Sequence, residues 1–126
     1  MRDPKAASWD EVLASHRPEV VAAAHAIQGV IVEELPTVVV YFDRGDGLLA
    51  FGTSSAMRDL LFALIPHAGW LNLQLADGAT LPDPEGLVEG TGKRIRHVKL
   101  RSAEAATRPG VLALVRAQVQ AHAART

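Results

Sequence analysis

The stretch "TVVVYFDRGDGLLAFG", residues 37–52, decides the fold. Residues 37–42 are β-branched and aromatic, side chains that suit a pleated, half-buried surface. "DRGDG" (43–47) supplies two aspartates and two glycines, which tolerate tight backbone bends. "LLAFG" (48–52) turns apolar again. Two strand-like runs across so short a turn predict a β-hairpin.

Toward the N-terminus the pattern is helical. Ser8, Trp9, Asp10 and Glu11 form a capping box that starts a short helix ending near Arg17. Pro18 suits the first turn of a second helix, where its missing N–H costs nothing, and Pro36 closes it. Val20, Ala24, Ile27 and Ile31 recur at helical spacing between them, so one face is buried.

Toward the C-terminus, "SSAMRDLLFALIP" (54–66) reads as a helical turn capped by Ser54 or Ser55, extending into a strand over 61–65. "WLNLQLA" (70–76) alternates strictly, with Leu71, Leu73 and Leu75 inward and Trp70, Asn72 and Gln74 opposite. A long connection rich in turn-formers (77–92) precedes a last strand, "RHVKLRS" (96–102). "RPGVLALVRAQVQAHA" (108–123) is an amphipathic helix using Leu112, Val115 and Val119.

The expected fold is therefore α+β. Four to six mainly antiparallel strands form one sheet, and helices over 18–35 and 109–123 cover one face as a two-layer sandwich. At 126 residues the chain is a single domain, 1–126, with 1–7 as a flexible N-terminal tail.

Composition removes several function classes. With no cysteine, disulfides, thiolate metal sites and thiol catalysis are excluded. A net charge of −1 predicts no general attraction to nucleic acid or anionic membrane. No apolar run approaches ~18 residues and the N-terminus lacks a signal-type apolar core, so a cytoplasmic protein is expected.

"GLVEGTGKRIRHVKL" (86–100) poses the main chemical question. A phosphate-binding P-loop requires Gly, four residues, then Gly-Lys-Ser/Thr opening a helix. Here the spacing is one residue long, Arg94 replaces the hydroxyl, and strand alternation follows. The stretch is a glycine-rich turn feeding a strand, with Gly90 and Gly92 at positive φ; the second reading adds a small anion held by Lys93 and backbone N–H groups. Lys93, Arg94, Arg96, Lys99 and Arg101 follow the acidic residues Asp77, Asp83, Glu85 and Glu89, so acids and bases compensate each other. Arg96 shares the face of Val98 and Leu100 and is expected to bend toward a carboxylate.

Of the five histidines, none pairs with His, Asp or Glu at i+3 or i+4 on an expected helix, so zinc is not expected. His16, His25 and His122 read as surface or half-buried helix residues. His67, in the "IPHAGW" turn, stands where ligand-facing groups collect. Ser54 in "GTSSA" lacks the large parallel sheet that a nucleophile elbow needs.

"IPH" (65–67), "LNL" (71–73) and "LPDPEGLVEGTGKRIRHVKLRS" (81–102) together resemble the small bacterial YdhG-like domain family, some members of which are described as frataxin-like iron chaperones. The resemblance covers most of the chain. It implies a frataxin-like sandwich, with Pro66, His67, Asn72, Asp83, Pro84, Gly86, Gly90, Gly92, Lys93, Arg96 and His97 matching its motif. Asp83, Pro84, Gly86, Gly90 and Gly92 then shape the loop.

The expected function is a non-enzymatic binding or adaptor domain. Its partner is a small anionic or polar molecule, or a protein, and its ligand contacts are His67, Asn72, Lys93 and Arg96. No cofactor is required. The alternative is a ferrous-iron chaperone using Asp10, Glu11, Glu19, Glu33 and Glu34, hard carboxylates that hold this metal weakly. Neither nucleic acid nor membrane is an expected partner, and the pattern carries no sign of oligomeric state.

Overall fold

The structure is a computed structural model that describes residues 6–125. Helix α1 (Trp9–Ala14) starts as its capping residues dictate: Ser8 Oγ accepts the Glu11 N–H at 3.2 Å. The Glu11 carboxylate reaches one residue further back than a standard capping box, to the Ala7 N–H at 2.8 Å. Ala6, within the 1–7 span expected as a flexible tail, is only 2 % exposed and belongs to the core. Residues 1–5 of that expected tail lie outside the described residues. Helix α2 (Pro18–Glu34) opens on its proline and buries Val20, Ala23, Ala24, Ile27 and Ile31.

The 37–52 stretch forms the expected hairpin, β1 (Val39–Asp43) and β2 (Leu48–Gly52). A 3-10 turn (Met57–Asp59) leads into β3 (Leu60–Pro66), followed by β4 (Leu71–Leu75) and β5 (Arg96–Leu100). Ser54 is a turn residue: its hydroxyl donates to Asp59 at 2.6 Å and accepts the Ala56 N–H at 3.0 Å. The five strands pair in chain order, every neighbour antiparallel. Helices α3 (Ala103–Ala106) and α4 (Pro109–Arg125) follow the sheet. Helices α2, α3 and α4 contact strands β4, β5 and β3 respectively, and one another, giving the expected α+β sandwich.

Register shows which side chains the helices cover. Phe42, Leu49, Leu64, Leu73 and Val98 form one cross-strand row, and Phe51, Phe62 and Leu75 lie in the next row on the same face. Leu71, Leu73 and Leu75 are fully buried there, as the alternation of 70–76 predicts. On α4 the buried stripe is rotated from the expected one: it runs through Val111, Leu114, Val115, Gln118 and His122, while Leu112 and Val119 are only partly buried. Two polar residues share that stripe, so hydrophobic spacing alone misplaces it.

The glycine-rich connection turns out to protect a sheet edge. The Asp83 carboxylate accepts the N–H groups of Leu87 and Val88, both at 2.9 Å, and so fixes the bend after Pro84. Gly86 (φ 66°) and Gly90 (φ 113°) adopt conformations that side chains resist. Between them Glu89 pairs with His97 through two backbone hydrogen bonds, of 2.8 and 3.1 Å, and covers the outer edge of β5. Gly92 is not at positive φ, contrary to expectation. Its constraint is steric, because a Cβ there would collide with the Ile95 carbonyl oxygen.

Two glycine substitutions test this account by chemical denaturation. Gly92→Ala should destabilise by more than ~1 kcal/mol, because backbone rather than a flexible side chain must yield. Gly29→Ala, mid-helix with nothing within 4 Å of the new Cβ, should stabilise by ~0.5–1 kcal/mol.

Candidate functional site at the Pro-His corner

The β3–β4 hairpin closes with the His67 N–H on the Trp70 carbonyl at 2.8 Å. This tight closure brings the side chains of residues 67, 70 and 72 together. Trp70 Nε1 can only donate, and it donates to Asn72 Oδ1 at 2.8 Å. The Asn72 amide nitrogen therefore faces His67 Nε2, 3.1 Å away. That nitrogen must accept, so the imidazole is neutral and carries its proton on Nδ1. Burial first, and then nearby positive charge including Lys99, hold the His67 pKa below the ordinary histidine value. Hydrogen bonding and electrostatics thus select the same protonation state.

The imidazole lies nearly parallel to the Trp70 indole, with ring centroids 5.0 Å apart. Lys99, opposite Asn72 in the register, places Nζ 4.7 Å from the Trp70 ring centroid. The Arg101 guanidinium carbon is 5.5 Å from it. Contacts of this kind contribute ~0.5–1 kcal/mol at exposed sites, enough to orient flexible cations. Glu89, delivered by the glycine loop, pairs with Lys99 at 3.5 Å. The corner thus combines a flat aromatic surface, two cations, an oriented amide and an Nδ1–H donor.

Half of the expected ligand set is assembled here. His67 and Asn72 meet directly, whereas Arg96 pairs with Leu75, three residues along β5 from Lys99 and on the helix-covered face. Three residues of strand span ~10 Å. Arg96 donates to the Gly92 carbonyl at 2.9 Å rather than to a carboxylate, because Arg94 takes the nearby Asp77. Lys93 is exposed and lies beyond the Arg96 end of the strand, away from the corner. Trp70, Lys99 and Arg101 replace these two as corner residues. Their signal was the outward parity of Trp70 and Asn72, combined with the pairing of β4 to β5.

A second polar centre was not anticipated. Asp77, just after β4, is 6 % exposed. Its carboxylate accepts from Gln118 Nε2 at 2.7 Å, Arg125 Nη1 at 2.5 Å and Arg94 Nε at 3.1 Å. Its own N–H donates to Gln118 Oε1 at 2.7 Å. Burial pushes this carboxyl up, but the hydrogen bonds from Arg125, Gln118 and Arg94 prevail and hold its pKa below the usual value. Arg125 Nη2 also reaches His122 Nδ1 at 3.2 Å, and His122 Nε2 lies 3.2 Å from Thr53 Oγ1. His122 is accordingly buried, a correction to the surface or half-buried position expected for it. With every polar partner accounted for within the protein, this network joins elements rather than offering a site.

The five carboxylates of the iron reading are dispersed over helices α1 and α2. Glu11 bonds to the Ala7 N–H, and Glu34 pairs with Arg116 at 3.4 Å. Among the described residues, no group of three or more His, Asp or Glu is arranged to hold a metal ion. Nor is any helix among them long and apolar enough to cross a membrane.

Linkage sets the sign of two pH effects. The folded pKa of His67 is below the ordinary histidine value of 6.5, so the unfolded chain binds more protons between the two values. Stability from this group should rise with pH through that window, and NMR should place the His67 titration midpoint below 6.5. Asp77 is lowered from 3.8, so its contribution should be complete above that value and disappear as pH falls through the folded pKa. Asp77→Ala should remove that acid-side loss and cost ~2 kcal/mol at neutral pH, less than a fully buried pair because both arginines reach solvent. Urea denaturation across pH checks both expectations.

No family model, curated protein or solved structure matches the chain.

Proposed function

We propose that this chain is a non-enzymatic binding domain that receives a small planar anion, such as a ring-borne carboxylate, at the Pro-His corner. The supporting observation is the hydrogen-bond chain Trp70–Asn72–His67, which fixes a neutral imidazole beside an indole surface flanked by Lys99 and Arg101. A flat ligand stacks on such a surface, and its negative charge meets the two cations and the His67 Nδ1–H. The geometry favours binding over catalysis. His67 Nε2 is occupied by Asn72. This reading keeps the Pro-His turn of the YdhG-like resemblance as the ligand corner and gives the glycine loop an indirect part, through the pairing of Glu89 with Lys99.

Benzoate is a suitable probe because it is flat, singly negative and small. Titrating it into the full chain should shift the Trp70 indole N–H signal in the NMR spectrum, with a dissociation constant near ~1 mM for so small a ligand. Trp9→Phe assigns the signal. Lys99→Ala and Arg101→Ala should each weaken binding at least ~threefold, equivalent to ~0.6 kcal/mol per cation. An unmoved indole signal up to ~20 mM benzoate, or an equal response to cyclohexylammonium, would overturn the proposal.

A further inference from the structure

A second hollow lies on the same outer face of the sheet. The register sets Tyr41, Ala50, Ala63, Gln74 and His97 side by side, one on each strand. On the inner strands β2 and β3 these outward residues are alanines, so the middle of the face is depressed. The hollow has a volume of about 380 Å³, within the ~300–1,000 Å³ typical of small-molecule sites.

Three independent features describe its occupant. Met57 and Ile95, 80 % and 46 % exposed, stand on its wall as large apolar side chains in water. A bound hydrocarbon segment would cover them over the alanine floor. The Gln74 amide and the Tyr41 hydroxyl also line the hollow, with no side-chain hydrogen-bond partner among the described residues. Finally, among the described residues the charged side chains that line it, Asp43 and Asp46, are both acids. An apolar body with a cationic end is complementary to this lining, whereas an anion is not.

We propose that this hollow binds an amphipathic amine, a hydrocarbon chain or ring carrying an ammonium group. The hydrocarbon lies over Ala50 and Ala63 against Met57 and Ile95. The ammonium is directed to the Asp43–Asp46 end. Gln74 and Tyr41 supply hydrogen bonds to any polar group along the body. The site is separate from the Pro-His corner and selects the opposite charge.

The test uses n-hexylammonium, with hexanoate as its counterpart of opposite charge, followed by NMR of the methyl groups of Ala50, Ala63 and Met57 in the full chain. Hexylammonium should shift these methyls saturably, with a dissociation constant at or below ~5 mM, while hexanoate leaves them unmoved. The paired substitution Asp43→Asn and Asp46→Asn should weaken amine binding at least ~fivefold. Asp43 also accepts the Asp46 N–H at 3.1 Å to shape its turn. Ile95→Lys therefore applies the same charge rule from the opposite wall and should weaken amine binding without touching that turn. Unmoved methyls, equal shifts with hexanoate, or undiminished amine binding in folded Ile95→Lys protein would overturn the proposal. Shifts confined to the Trp70 indole and caused by hexanoate, with no response to hexylammonium, would likewise overturn it, and would leave the reading of the Pro-His corner standing.

Discussion

The buried Asp77 carboxylate is the constraint on which the rest of the arrangement depends. Removed from water, it requires compensating donors, and it finds them on the connection at Arg94 and on helix α4 at Gln118 and Arg125. Because Gln118 also accepts the Asp77 N–H, backbone and side chain of one residue are gripped by the same amide. Helix α4 is thereby fixed in rotation as well as position, and its Val111, Leu114 and Val115 face the sheet. The same stripe carries His122 to Thr53, just past β2. A single polar network thus ties the C-terminal helix to one end of the sheet at two points, just past the C-terminal ends of β2 and β4. Hydrophobic burial supplies most of the stability, but it is non-directional and would accept several helix rotations; the polar network accepts few.

What was legible in the sequence divides along the same line. The 37–52 hairpin, the Ser8 cap, the start of α2 at Pro18 and the alternation through β4 depend on neighbours a few residues away, and each formed as read. The buried stripe of α4 was misread because the partners of Gln118 and His122 lie 41 and 69 residues distant. The expectation that Arg96 seeks a carboxylate had the right chemistry and the wrong arginine. Arg94, in the bend before β5, reaches Asp77, and Arg96 turns back on Gly92. Gly92 shows that a glycine can be required by close backbone approach without a positive φ.

The two edges of the sheet are treated differently. Along β5 the connection folds back, so that Glu89 satisfies the His97 backbone and pairs with Lys99. This places the glycine loop beside the ligand corner through an acid rather than through Lys93. It also reduces the freedom of Lys99, which is held between Glu89 and the Trp70 ring. The opposite edge, β1, has no such cover among the described residues, and Val39 and Val40 remain exposed there.

The division of labour between the faces of the sheet accounts for where binding chemistry can reside. The inner face is occupied by α2, α3 and α4, and its Leu49, Leu64, Leu71, Leu73, Leu75, Phe51 and Phe62 are closed to solvent. On the outer face, small and amide side chains, Ala50, Ala63, Asn72 and Gln74, stand where larger apolar residues would leave an aggregation-prone surface. Alanine leaves space, while asparagine and glutamine supply directed hydrogen bonds without a fixed charge. Among the described residues, charge on this face includes Lys99 and Arg101 beside Trp70, toward the β5 edge, and Asp43 and Asp46 beside the alanine hollow, toward the β1 edge. A chain of net charge −1 therefore presents two local fields of opposite sign on one face. Over distances shorter than the ~8 Å physiological screening length, each end selects its ligand by its own charges, and overall charge says little about either.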